Sequence, residues 1–138
     1  MAAVAFRYQC ADLLGGWLDC YDRFARAHEM LDDFCDWHED LAGGRSSFLL
    51  SEAARRKRPE ETLHAYMLRK GLAIGYAKME TWLCEASDIA RGLHSELLNQ
   101  FLEYRRDQVQ RFWNSFAPSL QRLKELADVL EGHSHGAG

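Results

Sequence analysis

The sequence predicts an all-α protein, an antiparallel helical bundle, on three observations. Apolar residues recur at steps of three and four over nearly the whole stretch from Trp17 to Glu131. Only two prolines occur in 138 residues. No segment alternates polar and apolar residues as a half-buried strand does. The chain is long enough for one domain and can bury about two-thirds of its unfolded surface. An apolar content of 47% against 28% charged residues is that of a globular chain. The reading is one helical domain over residues 1–131 and a disordered tail over 132–138, where the sequence becomes GHSHGAG.

Each element follows from local signals. Residues 2–13 read as a short helix, interrupted at Gly15-Gly16. The next helix spans about Trp17 to Leu41, with Trp17, Tyr21, Phe24, His28, Leu31, Cys35, His38 and Leu41 as its apolar stripe. Gly43-Gly44 ends it. Ser46 or Ser47 caps a short segment reaching Arg58. Pro59, Glu60 and Glu61 suit the first turn of a further helix, closed near Lys70 by Gly71. Another covers about 72–91, with Leu72, Tyr76, Met79, Leu83 and Ala86 on one face, and Gly92 ends it. Residues 93–131 are helical, with Pro118 predicting a kink or break near Phe116.

Charge and composition exclude several functions. A net charge of −4 argues against a nucleic-acid partner. No apolar run approaches the roughly 20 residues that cross a bilayer. The stretch Met1–Arg7 lacks a basic n-region and a full apolar core, so a cytoplasmic location without a signal peptide is expected. The four cysteines, Cys10, Cys20, Cys35 and Cys84, form no CxxC pair and are expected as small buried hydrophobes in a reducing compartment. His28 and His38 fall on the apolar stripe and are expected as core or lining residues. The run Arg55-Arg56-Lys57-Arg58 is expected as a solvated helix end complementing the dipole. Phe101, Tyr104, Phe112, Trp113 and Phe116 are expected to pack in the core, the alternative being an aromatic lining for a carbocation.

The most informative segment is Asp32-Asp33-Phe34-Cys35-Asp36, a DDxxD cluster, followed by Asp40 and by Gly43-Gly44-Arg45. On a helix, carboxylates at i and i+4 lie about 6 Å apart and can share a cation. Mg²⁺ takes one or two carboxylates and fills its remaining positions with waters and phosphate oxygens. Arg45, just past the helix end, can give a diphosphate a bidentate contact. The bland alternative is a solvated acidic face.

The run from Phe24 through Asp36, then Asp40-Leu-Ala-Gly-Gly-Arg-Ser-Ser-Phe-Leu-Leu50, resembles the second aspartate-rich region of trans-polyprenyl diphosphate synthases and other class I isoprenoid synthases. The resemblance covers about 30 residues. It implies that Asp32, Asp33 and Asp36 hold Mg²⁺, that Asp40 matches the later aspartate, and that Arg45 stands where the family has a diphosphate-facing lysine. Glu29 and Ala25 depart from that pattern, and the spacing between Asp36 and Asp40 is short, closer to terpene-synthase-like members. The family's first aspartate-rich motif has no counterpart in the 31 residues before Asp32. The resemblance therefore implies roughly the C-terminal half of a synthase, acting on a prenyl diphosphate as a homo-oligomer or with a partner subunit. The second reading is a non-catalytic helical interaction module or small subunit. The third is an unrelated acidic bundle.

Overall fold

The structure, a computed structural model, describes residues 11–134. A 3₁₀ turn, Ala11–Leu13, leads into α1 (Leu14–Ala42). After a turn come α2 (Phe48–Arg56) and α3 (Leu63–Tyr66). A π turn, Met67–Gly71, joins α3 to α4 (Leu72–Gly92), and α5 (Glu96–Ser134) closes the fold. All the regular elements among the described residues are helical. The predicted helix over residues 2–10, His135 and the last residues of the predicted tail lie outside the described residues.

The three long helices run up, down and up. Along α1 and α4, Gly16 meets Leu93, Cys20 donates its thiol to the Ala86 carbonyl at 3.5 Å, and Trp37 meets His64 just before α4. Numbers rise on one helix as they fall on the other, so the pair is antiparallel. Along α1 and α5 they rise together: Phe24 packs on Phe101 and Phe34 on Phe112. The main core gathers Ala27, Met30, Phe34 and Trp37 from α1, Leu49, Leu50 and Ala53 from α2, Met67 from the π turn, Leu72, Met79 and Leu83 from α4, and Val109 and Leu120 from α5. Tyr76 stacks flat on Trp113, with ring centroids 4.5 Å apart. A smaller cluster of Cys20, Ala86, Ala90, Leu93 and Leu102 closes the other end.

The core face of α1 differs from the predicted stripe. Cys20, Ala27, Met30, Phe34 and Trp37 are buried, each one residue before a member of the expected set, while Trp17, Phe24, Leu31 and Leu41 of that set pack half-buried against the core, so the face is shifted toward the preceding residues and not replaced. Tyr21, His28, Cys35 and His38 are exposed. The reason is that α1 carries two overlapping apolar stripes at the same spacing. The one without imidazoles, built on Met30, Phe34 and Trp37, removes more apolar surface from water without burying polar nitrogens.

Predicted breaks at Gly15-Gly16, Gly71 and Pro118 do not occur. A glycine inside a helix costs about 1 kcal/mol, less than burying one large side chain contributes. Gly16 lies against Leu93 where a Cβ would come within 2.8 Å of its Cδ2, so glycine there permits close contact with the α4–α5 turn. At Gly71 the chain inserts a π turn and continues, keeping Met67 and Leu72 buried. Pro118 leaves only the Asn114 carbonyl without its helical donor, and Asn114 is exposed to water. Phe116 and Leu120 pack on the core on either side of the proline. The helix reaches Ser134, three residues into the expected tail.

The predicted first turn at Pro59–Glu61 is a loop, with Thr62 capping α3 through its Oγ1, which accepts from the Ala65 amide at 3.1 Å. Glu61 is used within that loop. Its buried carboxylate pairs with Arg69 of the π turn and accepts from the Arg58 amide at 3.3 Å.

Candidate functional site

The DDxxD cluster lies wholly on α1, but its carboxylates point to different tasks. Neighbouring helix residues are about 100° apart, so Asp32 and Asp33 diverge. Asp33 turns toward the start of α2, where its Oδ2 accepts the Leu49 amide at 3.0 Å. The Ser47 hydroxyl accepts the Leu50 amide at 3.3 Å, so two of the unpaired N–H groups of α2 are satisfied from two side chains. Asp33 is thus a capping residue supplied from another helix.

Asp40 and Arg45 are tied to each other by the end of α1. Gly44 adopts φ 65°, the left-handed conformation that glycine tolerates. The Gly44 amide donates to the Leu41 carbonyl at 3.3 Å and the Arg45 amide to the Asp40 carbonyl at 2.8 Å, the paired bonds of a Schellman motif. That motif brings positions 40 and 45 together. Here an ion pair fills the place, with Arg45 Nε 2.9 Å from Asp40 Oδ1. Arg45 therefore faces Asp40 rather than Asp32 or Asp36.

Asp32 and Asp36 remain exposed, one turn apart, on either side of Cys35. Cys35 is itself exposed, against the expectation that it would be buried. Its thiol is pushed above the usual range, first by partial desolvation and then by the Asp36 and Asp32 carboxylates. Among the described residues, no group of three or more His, Cys, Asp or Glu side chains is arranged to hold a metal ion. Asp33 also lines a cleft of about 330 Å³ with Asp22, Arg26, Glu29, Phe48 and Trp82. Neither Asp32 nor Asp36 reaches it.

The other candidates resolve into local roles. Arg55 and Arg56 both pair with Glu52, and Arg56 Nη2 lies 3.2 Å from its carboxylate. Lys57 Nζ donates to the Arg58 carbonyl at 3.3 Å. His38 and His64 stand edge to face beside Trp37, with their ring centroids 5.8 Å apart. Cys20 is buried with its thiol pushed up by desolvation, and Cys84 is half-buried.

The largest unexpected feature is on α5. Trp113 and Phe116 pack on the core as predicted, but Phe101, Tyr104 and Phe112 do not disappear into it. Leu97, Phe101, Tyr104, Phe112, Leu123 and Leu126 are six of the ten large apolar side chains exposed among the described residues. Their exposure runs from 38% at Phe112 to 80% at Leu97. They share one stripe with Gln108, Ser115 and Ser119, at steps of four and three. Arg105 and Arg122 fall within the same arc, and Arg105 donates to Gln108 Oε1 at 2.9 Å. The stripe lies beside the inward face of Leu102, Val109, Trp113 and Leu120. The sequence signal was an apolar arc on α5 wider than one core face needs.

No family model, curated protein or solved structure matches the chain. No helix among the described residues is long and apolar enough to cross a membrane.

Proposed function

We propose that the chain is a non-catalytic helical interaction module that works through the exposed face of α5. The observation that supports this reading is the concentration of exposed apolar side chains on one helix, Leu97, Phe101, Tyr104, Phe112, Leu123 and Leu126, because exposed apolar surface gathered on a folded domain marks a place where another surface packs. The state of the aspartates points the same way. Asp33 is used to start α2, and Asp40 and Arg45 are used to finish α1, which leaves Asp32 and Asp36 as the exposed pair. Mg²⁺ with a prenyl diphosphate usually needs carboxylates supplemented by phosphate oxygens in near-octahedral geometry. One exposed pair beside a neutral thiol is a weak starting set for that.

A diphosphate-release assay tests the reading. The purified chain is incubated with Mg²⁺ and allylic prenyl diphosphates of several lengths. No release above the buffer rate is expected. Mg²⁺-dependent release that disappears in Asp32→Asn/Asp36→Asn would overturn the proposal in favour of isoprenoid-synthase-like chemistry at these residues.

A further inference from the structure

A cavity between the π turn and the last turns of α5 carries a charge pattern that the interaction reading does not use. It measures about 380 Å³, a size suited to a small molecule. Its charged walls come from three places: Arg58, Glu60 and Glu61 of the loop before α3, Arg69 of the π turn, and Lys124 and Asp128 of α5. We infer that this cavity binds a small zwitterion, an α-amino acid with an apolar side chain, with its carboxylate on the cations and its ammonium on the acids. The inference does not depend on what packs against α5.

Three observations carry it. The first is a pair of orphaned polar atoms. The Glu61 side chain is 7% exposed and forms an ion pair with Arg69, yet Glu61 Oε1 and Arg69 Nε are both buried without a hydrogen-bond partner. Buried polar atoms in folded proteins are nearly always satisfied, so an orphaned acceptor beside an orphaned donor needs an explanation. An ammonium donates to a carboxylate oxygen, and a carboxylate accepts from a guanidinium N–H. A zwitterion supplies both.

The second is unpaired charge. Arg58, Lys124, Glu60 and Asp128 line the same cavity, and none of the four side chains has a charged partner among the described residues. Lys124 is also half-buried, so its ammonium is partly removed from water without a carboxylate in exchange. Glu60 and Asp128 are exposed. The half-buried cation therefore favours an anionic group within the cavity, and the acids favour a cationic group nearer to solvent. A phosphate dianion fits less well, because the same walls would set three carboxylates against it.

The third is the wall itself. The π turn keeps Met67 and Gly71 buried while Leu68 and Arg69 line the cavity. Such a turn inside a helix is rare and recurs at functional sites. Ala65, Leu68 and Ala127 add a small apolar surface, which suits an aliphatic side chain.

Isothermal titration calorimetry of the full chain tests the site and its chemistry. L-leucine and L-valine should bind saturably at one site. Leucinamide, which lacks the carboxylate, and isocaproate, which lacks the ammonium, should each bind at least about tenfold more weakly than leucine, since each loses one charge-assisted pairing. Inorganic phosphate should not displace leucine. Lys124→Gln should weaken leucine binding at least about tenfold with an unchanged circular dichroism spectrum, because Lys124 has no partner in the fold to lose. Arg91→Gln, which does not line the cavity, should bind as the wild type does. Absence of saturable binding by both amino acids up to about 20 mM would overturn the proposal. So would leucinamide or isocaproate binding as tightly as leucine, displacement of leucine by phosphate, or an unchanged affinity in Lys124→Gln.

Discussion

Among the aspartates of α1, position decides the role more than charge does. Asp33 is half-buried and satisfies the Leu49 amide across the α1–α2 corner. Asp33→Ala should therefore lower stability by about 1 kcal/mol, the usual cost of losing a helix cap, in a urea unfolding series. Asp32→Ala, one residue away in water, should stay within about 0.5 kcal/mol of wild type. Equal effects at the two positions would show that the cap does not operate. Cys35 provides a second local probe. Its thiol is held protonated by partial desolvation and by Asp36 and Asp32, so at pH 8 less thiolate is present than in a free cysteine. Removing the two charges in Asp32→Asn/Asp36→Asn favours the thiolate, and alkylation of Cys35 should speed up. The increase should be partial, because desolvation is the larger cause. Millimolar Mg²⁺ should leave the wild-type rate unchanged; acceleration by Mg²⁺, absent in the double variant, would place the cation at this pair. The DDxxD spacing was legible in the sequence. What it could not reveal was that α2 starts within reach of Asp33, or that the turn after Gly44 folds Arg45 back onto Asp40.

At the level of the elements, helix existence was legible and helix interruption was not. The end of α1 at Gly43-Gly44, the Ser47 cap of α2 and the end of α4 at Gly92 follow from local chemistry, which acts whatever the rest of the chain does. Gly15-Gly16, Gly71 and Pro118 are weaker signals, because their costs of about 1 to 3 kcal/mol are set against burial along both flanking segments. Only the assembled core settles that balance. The centre of the α1 face was shifted for a related reason: Trp17, Phe24, Leu31 and Leu41 pack on the core as read, but a second stripe one residue earlier has the same period, and periodicity alone does not choose which is buried most deeply. Pro118 yields a prediction. Its φ already suits a helix, but it denies the Asn114 carbonyl a donor and crowds it. Pro118→Ala should restore that bond and raise stability by about 1–2 kcal/mol, after allowing for the greater freedom alanine gives the unfolded chain. The check is the midpoint of chemical denaturation. A lower midpoint would mean that the proline is matched to a local geometry that alanine cannot adopt.

For the molecule as a whole, the three long helices cover one another on their inner faces and leave the outer stripe of α5 bare. An all-α antiparallel bundle was readable from pattern and composition. The direction of the surplus apolar surface was not, because it depends on which arc of α5 meets α1 and α4. The isoprenoid-synthase resemblance rests on a short acidic run whose side chains the fold divides among a helix cap, a helix end and an exposed pair. The exposed apolar side chains of α5, by contrast, gather at Leu97–Tyr104 and at Leu123–Leu126, with Phe112 between them. The most direct test of the account is diphosphate release by the purified chain with Mg²⁺ and allylic prenyl diphosphates. The account predicts no release above the buffer rate. Mg²⁺-dependent release that disappears in Asp32→Asn/Asp36→Asn would contradict it.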